Sequence, residues 1–423
     1  MNFVQVEMAI EWIFALFKWI IQFLKDYLNP IEDPSDDLEE IARCEVERNL
    51  EEIRRRNVFE IDAKPIEKIA DKTRGKVYPI EIPKSTETFI EFNAKEVIQE
   101  DLELIFGGSI YKRRVAVKLI GSDQDQVAAE MKIAEKLKHH ENFLYHFFSF
   151  SQKRTHFIAM EHYERSLSHF LPNNLREFLK QMCSGLEHMH ELRISHKSVV
   201  ARNVAVVMRG STVIYKISNF RDAIAEADDE NLKDDVESLG KLLLKLRDQL
   251  QTEKNLEKSK IKWRTSDDVL CVALINKMTA KAWNRRPSIK AVKTHPFLWS
   301  AHETLHFIVE VAKRLESNRC VALYDSLKIN SGKIFTSDWR GYIDRYVIDE
   351  LRGINYDKLP FPNIIGLIKT IRNLTVHHRT SVIEKAMGRT EDELLSYWTL
   401  HFPQFVIQVY DSDKFNAKNK FKS

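Results

Sequence analysis

The N-terminal segment, residues 3–28, places the first constraint on the fold because it reads FVQVEMAIEWIFALFKWIIQFLKDYL, with no glycine or proline. On an α-helix, five of its polar side chains fall within one stripe roughly 60° wide. They are Glu7, Glu11, Lys18, Gln22 and Lys25. Because the rest of the circumference is apolar, such a helix must be buried either in protein or in lipid.

We expect residues 1–28 to form a hydrophobic, membrane-associated helix. About 20 apolar residues span a bilayer, but Glu11 and Lys18 would then lie deep in hydrocarbon at a cost of about 2.5–3.5 kcal/mol each. Spanning the membrane and lying in its interface therefore both stay open. The alternative is a helix packed on the rest of the protein or on a second copy of itself.

Composition limits the class of function. Apolar residues make up 43% of the chain and charged residues 30%, which is an ordinary globular balance. The net charge of +3 is too small to predict nucleic-acid binding by bulk electrostatics, so any RNA contact must be local. The four cysteines are far apart and show no CxxC or Cys/His metal spacing. We expect reduced, structural thiols and no metal site.

A polar linker precedes the first compact domain. Pro30 and Pro34 end the apolar helix, and an acidic stretch follows. We interpret residues 29–76 as a solvated acidic and polar spacer. From Val77 the texture changes to alternating, β-branched strands, which read VYPIEI, TFIEFNAKEVI and SIYKRRVAVKLI.

An ordered series of motifs then begins, and it resembles the landmarks of protein kinases. The motifs are VAVK (115–118), AAEMKIAEKL, FIAMEHYERSLSHFL (157–171), HKSVVARN (196–203), NFR (219–221), DDVESLG (234–240), RRPS (285–288) and HPFLW (295–299). The resemblance covers about residues 88–299. It implies a two-lobed α+β fold in which Lys118 pairs with Glu130, Asp235 is a buried anchor, and Lys118, Glu130 and Asn203 are the surviving nucleotide-binding residues.

The residues that carry out phosphoryl transfer in that family are replaced. Ser198 stands where an aspartate orients the substrate hydroxyl, and Asn219 where an aspartate holds magnesium. The phosphate-binding loop reads QEDLE from Gln99, and its carboxylates would repel phosphate. Gly107 and Gly108 come late and could still form a turn. We predict a pseudokinase without phosphoryl transfer and leave binding of ATP or ADP open.

A helical region follows the kinase-like motifs. Ser300 and Glu303 form a capping-box pattern, and an amphipathic helix with an apolar face from Leu305 to Leu315 comes next. A kinase-like domain that runs directly into such a helix resembles the kinase-extension nuclease (KEN) family. This family includes RNase L and the inositol-requiring enzyme of the unfolded-protein response. The segment SYWTLHFPQFVIQVYD (396–411) resembles the closing helix of that family.

The resemblance also implies a site for RNA cleavage. The string IRNLTVHH resembles the family's active-site segment and assigns catalytic roles to Arg372, Asn373 and His377, with Tyr356 as the tyrosine that assists at the 2′-hydroxyl and His378 as a lesser candidate. RNA carries its own nucleophile, the 2′-hydroxyl, so the reaction needs a base to take that proton, an acid to protonate the leaving 5′-oxygen and positive charge at the phosphate, and no cofactor or metal is required. A histidine titrates near neutrality, and an arginine offers a fixed fork of donors.

The sequence therefore divides into a hydrophobic helix (1–28), a linker (29–76), a pseudokinase domain (77–299), an all-α KEN ribonuclease domain (300–415) and a basic tail (416–423). We expect RNA as substrate, a homodimer, and attachment through residues 3–28 to the cytoplasmic face of a membrane, with the endoplasmic reticulum as the candidate. The alternative function is a catalytically silent membrane scaffold or regulator of a related kinase-nuclease.

Overall fold

The computed structural model describes residues 58–61, 88–99, 104–110, 113–121, 123–152, 155–255, 265–316, 320–353, 362–377 and 379–420. The predicted helix at residues 3–28, Tyr356 and His378 lie outside these ranges. The chain divides into a unit of residues 1–59 and a unit of residues 60–423, and the fold below is that of the second unit. No helix of the described ranges is long and apolar enough to cross a membrane.

The first lobe is an antiparallel sheet with one helix. Its strands follow the short strand β1 (Val58–Ile61) along the chain and are β2 (Thr88–Gln99), β3 (Ile105–Ile110), β4 (Arg113–Gly121), β5 (His146–Gln152) and β6 (Thr155–Glu161). Within residues 88–161 the strand order is β2-β3-β4-β6-β5. Helix α1 (Gln124–Leu137) begins at Asp123, whose side chain accepts a hydrogen bond from the backbone N–H of Gln126 at 2.9 Å.

The two glycines near the phosphate-binding loop do not form the turn that the sequence left possible. Gly107 and Gly108 lie inside β3 and pair with Ala116 and Val115 of β4. The buried side chains of Ile105 and Phe106 at the start of the same strand hold this register against the first-lobe core. The packing of the strand therefore decides the conformation of the glycine pair.

The second lobe is mainly helical. Its elements are β7 (Arg165–Ser166), α2 (Leu175–Glu191), β8 (Val204–Arg209), β9 (Thr212–Ile217), α3 (Asp229–Asn255), α4 (Thr265–Met278) and α5 (Ile289–Lys293). Gly240 of α3 lets α4 approach closely, since a Cβ there would lie 2.8 Å from the Cβ of Met278. This contact fixes α3, which supplies the anchor Asp235 described below.

The C-terminal region is all-helical in its described part. Its helices are α6 (Ala301–Glu316), α7 (Val321–Asn330), α8 (Arg345–Gly353), α9 (Ile364–Val376), α10 (Ser381–Met387), α11 (Glu391–His401) and α12 (Phe405–Lys420). The capping box before α6 is confirmed, because Ser300 N–H donates to Glu303 and Glu303 N–H donates to the Ser300 hydroxyl at 3.1 Å. Trp339, Trp398 and Phe402 are fully buried.

Residues 396–411 do not form a single closing helix, so this expectation is wrong. The segment is split between α11, which ends at His401, and α12, which begins at Phe405. Pro403 lies in the break; proline has no N–H to continue a helix and disfavours helical backbone at the residue before it. The break turns α12 back toward the second lobe.

The C-terminal region and the second lobe share one continuous apolar core. The ring of Tyr410 on α12 packs against His295 and Trp299 of the second lobe and against Phe307 of α6. Its hydroxyl donates to the carbonyl of Thr294 at 3.3 Å. The two regions are therefore joined by buried packing as well as by the chain itself.

Candidate functional sites

The kinase-like centre contains a buried ion pair between β4 and α1. Lys118 Nζ lies 3.0 and 2.9 Å from the two carboxylate oxygens of Glu130, and both side chains are buried. Burial alone would raise the pKa of Glu130, but the charge of Lys118 and the contact with His146 outweigh it and lower the pKa from 4.5 to about 2. The carboxylate therefore stays ionised at neutral pH.

An aromatic stack joins the two lobes beside this pair. His146 Nε2 lies 3.5 Å from a Glu130 oxygen, and its Nδ1 is hydrogen-bonded to the carbonyl of Leu144 at 2.9 Å. The ring of Phe220 packs between His146 and His196, at centroid distances of 5.4 and 5.8 Å. Phe220 is the residue after Asn219, so the stack fixes the backbone that carries Asn219.

A chain of hydrogen bonds continues from Lys118 into the second lobe. Lys118 Nζ also donates to Asn219 Oδ1 at 2.9 Å, and Asn219 Nδ2 donates to Asn203 Oδ1 at 3.0 Å. Asn203 Nδ2 then donates to the carbonyl and the hydroxyl of Ser198 at 2.8 and 3.0 Å. The structure thus brings together Lys118, Glu130 and Asn203, the three residues expected at a nucleotide site, with Asn219 as the link.

Asp235 is buried and contacts the backbone of the HKSVVARN motif (196–203). Its carboxylate accepts hydrogen bonds from the N–H groups of His196 and Lys197 at 2.9 and 2.8 Å, and His190 Nε2 lies 3.1 Å away. Lys197 has a φ of 62°, a left-handed conformation that costs energy in a residue other than glycine. The anchoring contact expected from the sequence is therefore present, and it holds a strained residue in place.

The residues of this centre do not fit the magnesium ion that the kinase fold implies. Magnesium prefers carboxylate oxygens, often together with water and phosphate. Position 219 offers a neutral amide whose oxygen already accepts a hydrogen bond from Lys118. In the described part of the chain, no group of three or more His, Cys, Asp or Glu residues is arranged to hold a metal.

The second candidate site lies at the C-terminal end of α9. This helix begins at Asn363, whose side chain accepts from the N–H groups of Ile365 and Gly366 at 3.0 and 3.2 Å. Arg372 and Asn373 occupy its last turns, and both are half-buried. His377 follows directly, is exposed, and donates its backbone N–H to the carbonyl of Asn373 at 2.9 Å. Three of the four predicted catalytic residues are therefore grouped at one helix end.

Arg372 has a partner that sequence reasoning missed. Its Nη2 pairs with a carboxylate oxygen of Glu316, the last residue of α6, while its Nε is buried without a hydrogen-bond partner. Helix α6 packs along α9, and this brings together two residues that are 56 positions apart. The only signal in the sequence was an acidic residue at the end of the amphipathic pattern.

Family comparisons match both regions. The family described as Protein tyrosine and serine/threonine kinase matches residues 98–242, and the family described as Ribonuclease 2-5A matches residues 304–422. Together they cover both candidate sites.

Several curated proteins are similar over larger parts of the chain. Serine/threonine-protein kinase/endoribonuclease IRE2 of Homo sapiens is 22% identical over 76% of this chain and 41% of its own length. The Caenorhabditis elegans protein ire-1, with the same description, is 22% identical over 74% of this chain and 38% of its own. Sensor for unfolded proteins in the ER ire1 of Schizosaccharomyces pombe is 26% identical over 36% of this chain and 15% of its own.

The chain spans less than half the length of these relatives. This chain contains a region similar to the kinase family, followed by a region similar to the ribonuclease 2-5A family that is helical in its described part. In this combination of domains, the chain resembles the kinase-extension nucleases.

Proposed function

We propose that this protein is a metal-independent endoribonuclease that cleaves RNA by attack of the 2′-hydroxyl on the adjacent phosphate. The observation that carries the proposal is the grouping of Arg372, Asn373 and His377 at one end of α9. These side chains supply an imidazole, a cation and an amide, which can act as the acid, stabilise the phosphorane and position the phosphate.

The proposed roles follow from the chemistry of each group. His377 is exposed and can approach the phosphodiester, so it protonates the leaving 5′-oxygen. Arg372 stabilises the charge that develops on the phosphorane, using the donors that Glu316 does not occupy. Asn373 positions the scissile phosphate. Tyr356, which lies outside the described residues, assists at the 2′-hydroxyl.

The test is to incubate the full chain with a stem-loop RNA in EDTA. We expect cleavage that leaves a 2′,3′-cyclic phosphate, because the 2′-oxygen becomes bonded to phosphorus as the 5′-oxygen leaves. His377→Ala should abolish cleavage, whereas His302→Ala, an exposed histidine on α6, is the matched control and should not. Undiminished cleavage by His377→Ala would show that the acid is another group.

We further propose that the kinase-like domain transfers no phosphate and acts as a dimerisation and regulatory platform. Ser198 and Asn219 cannot replace the aspartates that orient the hydroxyl and hold magnesium. Incubation with γ-labelled ATP should give no labelled protein. Label that Lys118→Ala removes would contradict the proposal. Binding of ATP or ADP without transfer would involve Lys118, Glu130 and Asn203.

A homodimer and a membrane are the proposed partners besides RNA. We expect cleavage by the full chain to rise faster than linearly with protein concentration, since pairing would bring two sites side by side. The Schizosaccharomyces pombe relative is described as a sensor for unfolded proteins in the endoplasmic reticulum. We therefore propose the cytoplasmic face of the endoplasmic reticulum membrane as the location, with residues 3–28 as the attachment. Deleting residues 1–28 should release the protein from the membrane fraction, and a full chain that is already soluble would contradict this.

The second candidate function is a catalytically silent scaffold or regulator of a related kinase-nuclease. The pairing of Arg372 with Glu316 favours it, because a carboxylate already occupies part of the guanidinium. Absence of cleavage at every protein concentration, together with binding to a related active enzyme, would support this function.

A further inference from the structure

The hydrogen-bond chain in the kinase-like centre has a fixed direction. An ammonium group can only donate hydrogen bonds, so Lys118 requires the oxygen of Asn219. The amide nitrogen of Asn219 must then face Asn203, which accepts through its own oxygen at 3.0 Å. The nitrogen of Asn203 is thereby directed at Ser198, where it donates to the carbonyl and the hydroxyl.

This direction depends on an amide at position 219. An aspartate is an acceptor only, so its second oxygen would face the oxygen of Asn203. Rotating the Asn203 amide to relieve that contact would place its oxygen against the carbonyl oxygen of Ser198, which cannot donate. Asparagine at position 219 is therefore the residue that lets two amides connect Lys118 with Ser198 without an unsatisfied contact.

This series of hydrogen bonds connects parts of the molecule that a nucleotide and its metal would otherwise link. Lys118 belongs to β4 and holds α1 through Glu130, while Asn203 and Ser198 belong to the second lobe. Lys118 and Asn203 are buried, and at low local polarity a satisfied hydrogen bond is strong and a missing partner is costly. The same amide groups that no longer suit magnesium therefore suit a direct connection between the lobes.

We propose that the amide chain Lys118–Asn219–Asn203–Ser198 replaces nucleotide and magnesium as the connection that holds α1 and the second lobe in their observed arrangement. The kinase-like domain then keeps this arrangement without any ligand. The inference rests on the proposed loss of phosphoryl transfer but is independent of RNA cleavage, so its test uses thermal unfolding and does not require an active nuclease.

The first measurement uses the wild-type full chain in three conditions: without ligand, with ATP and EDTA, and with ATP and magnesium. We expect the two ATP conditions to give the same Tm, because position 219 offers magnesium no carboxylate and its amide oxygen already accepts a hydrogen bond from Lys118. A Tm that rises further when magnesium replaces EDTA would overturn the proposal. This measurement does not depend on the folding of any variant.

The second measurement uses the variant Asn219→Asp, in which the series of hydrogen bonds cannot keep its direction. We expect Tm without ligand to fall by about 2–8 °C, because one buried contact loses its donor. Asn173→Asp, at an exposed position of the second lobe, introduces the same charge and should leave Tm nearly unchanged. If Asn219→Asp is as stable as wild type, the amide is not required and the proposal fails.

Discussion

Replacing Lys118 with methionine should make the stability of the protein depend on pH in a range where the wild type does not. Methionine keeps an unbranched side chain of similar length but removes the charge that faces Glu130. In the wild type, the pKa of Glu130 is lowered to about 2. Its stabilising contribution is therefore complete above the unfolded value of 4.5 and is lost only as pH falls from there toward 2.

In the variant, the contribution of Glu130 to stability changes with pH in the opposite direction. Without Lys118, burial becomes the main influence and raises the pKa of Glu130 above 4.5. The pH-dependent part of the penalty should then be small near pH 5, where the buried group is protonated, and should grow as pH rises. Loss of the donor to Asn219 adds a part that does not depend on pH. The slope of the pH-dependent part is at most about 1.4 kcal/mol per pH unit for one proton, and its limit is about 3–5 kcal/mol, the usual cost of leaving one charge of a buried pair alone.

The assay is urea unfolding of both proteins at intervals from pH 5 to pH 8, with the difference in the free energy of unfolding plotted against pH. The imidazole of His146 faces the same carboxylate in both proteins, at 3.5 Å in the wild type. Adding Glu130→Gln to Lys118→Met removes the titrating group and should give a flat line. A penalty for Lys118→Met that is independent of pH would refute the reasoning.

Three further results are expected. Glu316→Ala should lower kcat for RNA cleavage about tenfold without raising KM, because Arg372 loses its orientation while a carboxylate near the phosphate is removed. Glu316→Gln keeps the hydrogen-bond acceptor for Arg372 and should have a kcat near that of the wild type. Equal kcat for all three proteins would argue against a role of Glu316 in orienting Arg372. Arg372→Lys should lower kcat/KM about 100-fold in initial-rate assays, since lysine lacks the planar fork, and a change below threefold would contradict the assignment. Asp235→Ala should lower the free energy of unfolding in urea by about 2–6 kcal/mol, because two buried N–H groups lose their acceptor; an unchanged urea midpoint would count against the anchor.

Local patterns predicted part of this structure well. The capping box at Ser300 and the pairing of Lys118 with Glu130 each depend on residues whose spacing or motif is visible in the sequence, and both contacts are present. The use of Lys118 and Glu130 by a nucleotide stays a prediction.

Contacts between distant segments could not be predicted in the same way. The link between Asn219 and Asn203 depends on how two loops meet and on which way each amide faces, and neither is encoded by spacing. The pairing of Glu316 with Arg372 likewise requires α6 to lie along α9. The conformation of Gly107 and Gly108 was left open by the sequence, because glycine permits a turn but does not require one when neighbouring side chains are buried.

The packing of Tyr410 against the second lobe has a mechanical consequence. A tyrosine ring enclosed by His295, Trp299 and Phe307 cannot slide or pivot without exposing apolar surface, so the C-terminal helices and the second lobe behave as one lever arm. A hinge at this junction is therefore a poor means of switching the protein on. A displacement of the second lobe would therefore be passed through Tyr410 and Phe307 to the C-terminal helices.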